Sequence, residues 1–234
     1  RAGKITAAGF DAAPSLRVIS KHGIGVENID VESATGRGIP VLFTPGANSR
    51  TVAEHALALI FALARRIPQQ NARVKAGVWD KSGYNGFELA AKTLGIIGFG
   101  GIGRALAHLA VALDMNVMVY DPYAAAGLTV NYITLVANLH ELLSKSDMVS
   151  LHCPLTEESR GMLGADEFKV MRPRSYLVNT ARGALVDEAA LVDALRCDAI
   201  GARRGERFGS VSPHMDALEA SGTTFRETFA NANT

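Results

Sequence analysis

Short apolar, β-branched runs alternate with amphipathic stretches along most of the chain. "LRVIS" (16–20) and "IPVLF" (39–43) have strand character, with the helical "VESATGRG" between them. "SRTVAEHALALIFALARR" follows, and its Val52, Ala56, Leu59, Ile60 and Leu63 recur at helical spacing. A Ser/Thr start and an Arg65–Arg66 end suit the dipole of that helix. Residues 67–93 form a Gly- and Pro-containing stretch that includes Trp79.

From there the alternation is regular. Strands are predicted at "LGIIG" (94–98), "NVMVY" (116–120), "TVNYI" (129–133), "MVSLHC" (148–153) and "SYLVN" (175–179), with a stub at "AIGA" (199–202). Helices fall between them at "GIGRALAHLAVAL", "LHELLSKS", "ADEFKVM" and "DEAALVDALR". Strands that are apolar almost throughout need cover on both faces, so the pattern predicts an α/β fold with a doubly wound parallel sheet. The unit at 16–43 belongs to a second sheet and is too small to be a complete domain.

Composition narrows the partners. The chain has 234 residues, 24 Lys+Arg against 23 Asp+Glu, and 48% hydrophobic residues, which suits an ordinary globular protein. A net charge of +1 gives no reason to expect nucleic acid or an acidic membrane as partner. The longest apolar run, Ala56 to Ala64, is too short to span a bilayer, and "RAGKIT" has no apolar signal region. Two cysteines, Cys153 and Cys197, form no disulfide framework, and a cytoplasmic location is expected.

The chemistry begins at "GFGGIG", residues 98–103, which matches G-x-G-x-x-G between a predicted strand and a predicted helix. Gly98 permits the tight turn, Gly100 lets backbone approach a pyrophosphate, and Gly103 allows close helix–strand packing. The helix N-terminus then offers free N–H groups and partial positive charge to the phosphates. Asp121 ends the next strand, 18 positions after Gly103, where a carboxylate accepts hydrogen bonds from an adenosine ribose. The competing reading is a packing turn followed by a strand-capping Asp. A 2′-phosphate beside Asp121 meets like charge, at a cost of up to ~4 kcal/mol for an effective dielectric of ~20. Pro122 and Tyr123 bring no Arg to reverse that, so NAD is expected over NADP.

With those residues in view, the chain resembles the D-isomer-specific 2-hydroxyacid dehydrogenases, in particular their phosphoglycerate dehydrogenase-like branch. The resemblance is carried by "KHGIGVENID", "RGIPVLFTPGANSRTVAEHALALIFALAR", "KTLGIIGFGGIGRALA", "SLHCPLTEESRGML", "YLVNTARGALVDEAALVDAL" and "SPHM". It implies two Rossmann-like domains, with a discontinuous and incomplete substrate domain from residues 1–46 and 215–234 and an NAD-binding domain at 47–214. It also implies a homodimer acting on a small 2-hydroxy or 2-oxo acid. Arg182 in "NTARG" and His214 in "SPH" match the catalytic motifs. By the same likeness, Ile24 and Gly25 offer backbone N–H groups to a substrate carboxylate, Asn48 lines that cleft, and Gly101, Ile102, Cys153, Thr180 and Ala181 contact NAD.

Elementary chemistry agrees with these roles. Arg182, just past a strand's carboxyl end, supplies a planar bidentate clamp for a 2-oxo acid. The imidazole of His214 exchanges a proton near neutral pH. The plainer reading of Arg182 is a surface ion pair with Asp187. His152 has a structural or cofactor-edge role, Cys153 has no activating partner in sequence, and no metal site is expected. The pattern departs from the family between "AIGA" and "SPH", where only "RRGERFGSV" stands. Glu206 lies there, but no motif places it as the Glu that orients the histidine. A non-catalytic NAD(H)-binding regulator on the same fold is the rival reading.

Overall fold

The computed structural model describes residues 3–79, 86–124 and 132–196. The stub at 199–202, Cys197, Glu206, His214 and the segment 215–234 lie outside them. The chain divides into two compact units between Arg50 and Thr51.

The first unit runs α1 (Ala7–Asp11), β1 (Ile19–Lys21), α2 (Val31–Gly36), β2 (Val41–Phe43). Its two strands pair in parallel, Ile19 opposite Val41 and Lys21 opposite Phe43. Asp30 caps α2, its carboxylate accepting from the Ser33 N–H at 2.9 Å and the Ser33 hydroxyl at 2.7 Å. Phe10, Ile19, Ile29 and Ala34 form the small core.

α3 (Ser49–Ala64) leads into the second unit, followed by α4 (Ile67–Lys75), β3 (Thr93–Ile97), α5 (Gly101–Val111), β4 (Asn116–Tyr120) and β5 (Ile133–Leu135). Then come α6 (Leu139–Lys145), β6 (Met148–Leu151), α7 (Ala165–Val170), β7 (Tyr176–Asn179), a 3-10 turn at Gly183–Leu185 and α8 (Glu188–Arg196). The five strands of the sheet are ordered β5-β4-β3-β6-β7, and every pairing is parallel. Successive connections leave β3 in opposite directions, so the order reverses between β3 and β6. In sheets of this kind a crevice opens at that point, beyond the strands' carboxyl ends.

Both faces of the sheet are covered. Leu94, Ile96, Val117, Val119, Met148 and Val178 pack with Ala53, Ala56 and Ile60 of α3 and Leu106, Ala107 and Ala110 of α5. Ile97, Met118, Val149 and Leu151 face Leu142 and Leu143 of α6, Phe168 of α7 and Ala194 of α8. Alternating residues of one strand thus enter different cores, which is why the strands are apolar throughout.

In three places the structure adds to the sequence pattern. The Gly- and Pro-containing stretch opens with a helix not assigned from the sequence, α4; Pro68 sits in its first turn, where a missing N–H does no harm. Of the strand expected at 129–133, residues 129–131 lie outside the described residues; β5 is Ile133–Leu135, and Tyr132 before it has a φ of 75°. On α3 the fully buried stripe is Ala53, Ala56, Ile60 and Ala64, while Val52, Leu59 and Leu63 are only partly covered. Small side chains let that helix lie close to the sheet.

Candidate dinucleotide site

The turn after β3 is built from backbone more than side chains. Gly98 has a φ of 95°, and its N–H donates to the Tyr120 carbonyl at 2.9 Å. A Cβ at Gly98 would stand 2.6 Å from the Cys153 nitrogen and 2.7 Å from the His152 carbonyl carbon. At Gly103 it would stand 2.1 Å from the Gly98 carbonyl oxygen. So Gly98 lets β6 pass close by, and Gly103 lets α5 begin directly on the turn. Gly100 differs: a Cβ there would meet nothing within 4 Å. The open side of Gly100 leaves the backbone at the first turn of α5 approachable by a ligand. The N–H groups of Gly101, Ile102 and Gly103 belong to that first turn and have no partner within the helix. The cradle fits a dinucleotide pyrophosphate.

Asp121 stands at the end of β4, beside this turn. Its Oδ2 accepts the Phe99 N–H at 2.6 Å and its Oδ1 accepts the Tyr123 N–H at 2.8 Å. The carboxylate therefore ties its own loop to the glycine turn. Each oxygen keeps lone pairs for hydroxyl donors. The guanidinium of Arg104 lies 5.2 Å from the Phe99 ring centroid, and its Nε donates to the Phe99 carbonyl at 2.9 Å. The tip of the turn is thus held from α5 as well.

Past β6, the His152 N–H donates to the Ile97 carbonyl at 2.7 Å and extends the β3–β6 ladder by one residue. Its Nε2 lies 2.8 Å from the Ser150 hydroxyl, while Nδ1 is buried without a hydrogen bond in the structure. Burial pushes the imidazole pKa down to about 4, so His152 is neutral at physiological pH. Burial also raises the Cys153 thiol, whose Sγ lies 3.7 Å from the Met162 sulfur. A protonated thiol in apolar surroundings is no nucleophile. Among the described residues no group of three His, Cys, Asp or Glu could hold a metal ion, and no helix is long and apolar enough to cross a membrane.

β7 ends in a turn held by Asn179, a residue to which the sequence reading gave no role. The buried amide accepts the Ala181 N–H at 3.0 Å and donates to the Arg182 carbonyl at 2.8 Å. An Asn that folds back on the next residues is a turn signal legible in "NTAR". The clamp sets Thr180, Ala181 and Arg182 at the sheet's carboxyl edge, one strand beyond His152 and Cys153. The Thr180 hydroxyl is buried and has no hydrogen-bond partner in the structure. Asp187 caps α8, its Oδ1 accepting from the Ala189 and Ala190 N–H groups.

Ile24, Gly25 and Asn48 belong to the first unit. Ile24 is 54% exposed in the loop after β1. That loop is tied down through Gly23, whose N–H donates to the Thr44 hydroxyl at 2.9 Å. His214, the expected proton donor, is outside the described residues.

A 3-2-1-4-5 parallel sheet with a glycine turn at its reversal point defines a dinucleotide-binding α/β domain. The sequence profile of the D-isomer specific 2-hydroxyacid dehydrogenase NAD-binding domain matches residues 57–204, and the chain belongs to that family. The cofactor of this domain is NAD. The chain is 39% identical over 213 residues to a D-3-phosphoglycerate dehydrogenase of Archaeoglobus fulgidus, covering 91% of itself and 40% of that protein. It is 42% identical over 191 residues to a hydroxypyruvate reductase of Thermotoga maritima, covering 81% of itself and 61% of that protein. The crystal structure of an NAD-dependent formate dehydrogenase from Staphylococcus aureus in complex with NAD superposes with a TM-score of 0.76 at 33% identity. That match covers 85% of this chain and 60% of the other. The chain thus spans about two fifths of the phosphoglycerate dehydrogenase's length.

Proposed function

We propose that the protein is an NAD-dependent oxidoreductase that interconverts a D-2-hydroxy acid and a 2-oxo acid, in the manner of phosphoglycerate dehydrogenase or hydroxypyruvate reductase. The observation that carries this is Arg182. It stands at the carboxyl end of β7, in a turn clamped by Asn179, on the same sheet edge as the glycine cradle. A planar cation there suits a substrate carrying a carboxylate beside a carbonyl.

In this reading residues 47–214 hold the cofactor and residues 1–46 and 215–234 contribute to a substrate domain. Gly98, Gly100, Gly101, Ile102 and Gly103 hold the pyrophosphate, Asp121 the adenosine ribose, and Cys153, Thr180 and Ala181 the nicotinamide half. Arg182 binds the carboxylate and polarises the carbonyl oxygen, and by the family likeness alone Ile24, Gly25 and Asn48 are substrate-binding residues. Reduced cofactor, when bound, supplies the hydride. His214 would deliver the proton to the oxygen of the 2-oxo group as it becomes a hydroxyl. The family resemblance further suggests a homodimer acting on a small 2-hydroxy or 2-oxo acid, and the two cysteines, too few for a disulfide framework, suit a cytoplasmic location.

The test is oxidation of NADH, followed by absorbance, with glyoxylate and hydroxypyruvate offered separately. Consumption that depends on the oxo acid is expected. NADH that binds but is not consumed with any 2-oxo acid would leave the regulator reading in its place.

A further inference from the structure

Three loops meet where the sheet order reverses, and a chain of hydrogen bonds runs through them. Asp121, after β4, accepts the Phe99 N–H of the β3 loop and the Tyr123 N–H of its own. Tyr123 then donates its phenol hydrogen to Glu158 Oε2 at 2.9 Å. Glu158 belongs to the loop after β6. Because β4 and β6 flank β3, the Tyr123–Glu158 bond passes across the end of β3, where the glycine turn lies.

Both ends of this bond are held. The Tyr123 backbone is fixed by Asp121. Glu158 sits in a turn stitched by Ser159, whose Oγ accepts the Thr156 N–H at 2.8 Å and donates to the Pro154 carbonyl at 2.8 Å. Between the anchors the Tyr123 side chain has little packing of its own, and the residue is 83% exposed. A large aromatic ring pinned at both ends beside a nucleotide crevice is placed to cover a flat ring or sugar.

We propose that Tyr123 and Glu158 form a strap over the adenosine end of the dinucleotide site, with Glu158 as the positioning residue that holds the Tyr123 ring as its outer wall. The inference rests on the dinucleotide reading given above. The Glu158 hydrogen bond and then its charge raise the Tyr123 pKa, with Asp121 adding to the effect, so the phenol remains a donor through neutral pH. Glu158 acts on the nucleotide only through Tyr123. Removing either end of the anchor should therefore have one and the same effect.

Calorimetric titration of the full chain with NAD+ and with AMP tests this without any turnover. Tyr123→Phe and Glu158→Ala should each weaken AMP by about three- to tenfold, the range one hydrogen bond commands. The double variant should be no weaker than either single one. Glu158→Gln, whose amide oxygen accepts the same phenol hydrogen, should recover most of the loss, and Tyr123→Ala should lose the most. Additive losses, or AMP affinity unchanged in Tyr123→Ala, would overturn the strap while leaving the dinucleotide site standing. Failure of the unaltered chain to bind either nucleotide would overturn both.

Discussion

Gly98→Ala should lower the melting temperature of the protein by about 5–20 °C, whereas Gly100→Ala should leave it nearly unchanged. At Gly98 two costs coincide. A φ of 95° lies where an L side chain is strained, at ~1–3 kcal/mol. The added Cβ also falls 2.6–2.8 Å from backbone atoms of His152 and Cys153, which cannot swing aside as a side chain does. Overpacking of that kind adds ~1–3 kcal/mol. For domains of this size each kcal/mol moves the midpoint by roughly 2–4 °C. At Gly100 the φ is −73° and the new methyl enters open space, so stability should change by less than ~0.5 kcal/mol. The open space is where the pyrophosphate reading places the ligand, so Gly100→Ala should instead weaken NAD+. Thermal melts and a nucleotide titration on the two variants separate these effects. Equal melting temperatures would mean that the glycine turn is not under the constraint described.

Arg182→Ala carries the largest expected effect on turnover. Truncating one partner of a desolvated charge pair costs about 2–5 kcal/mol. With each ~1.4 kcal/mol worth a factor of ten, kcat/KM for oxo acids should fall by roughly 30-fold to several thousandfold. NAD+ affinity should stay within about twofold, because the adenosine and pyrophosphate contacts lie beyond β3 and β4. Wild-type kcat/KM on every accepted oxo acid would return Arg182 to a surface role. Parallel loss of NAD+ binding would show that the Asn179-clamped turn serves the cofactor more than the substrate.

The sheet was legible in the sequence because burial on both faces forces near-continuous apolar strands. "LGIIG", "NVMVY" and "SYLVN" have no other reasonable home. The glycine turn was legible because each glycine answers a different constraint at a fixed spacing. Other features left weaker marks. α4, "IPQQNARVK", buries no residue fully, so it has no apolar stripe to reveal it, and its proline lies in the first turn of the helix. On α3 the helical spacing held Ala56 and Ile60 of the buried face, but Ala53 and Ala64 are too small to stand out in a pattern of large apolar side chains. Asp121 was read as a ribose ligand from spacing, but spacing cannot show a carboxylate also holding the Phe99 and Tyr123 N–H groups. Tyr123 and Glu158 lie 35 residues apart and share no motif, so only the fold brings them together.

The central claim is that the cradle at 98–103 with Asp121 selects NAD. Calorimetric titration with NADH and NADPH, at one ionic strength, tests it most directly. A 2′-phosphate would stand beside the Asp121 carboxylate, and a penalty of ~1.4 kcal/mol already makes a tenfold difference. NADH should bind at least about tenfold more tightly than NADPH, and Asp121→Asn should narrow that ratio. Equal affinities in the unaltered chain, or no binding of either nucleotide, would contradict the account.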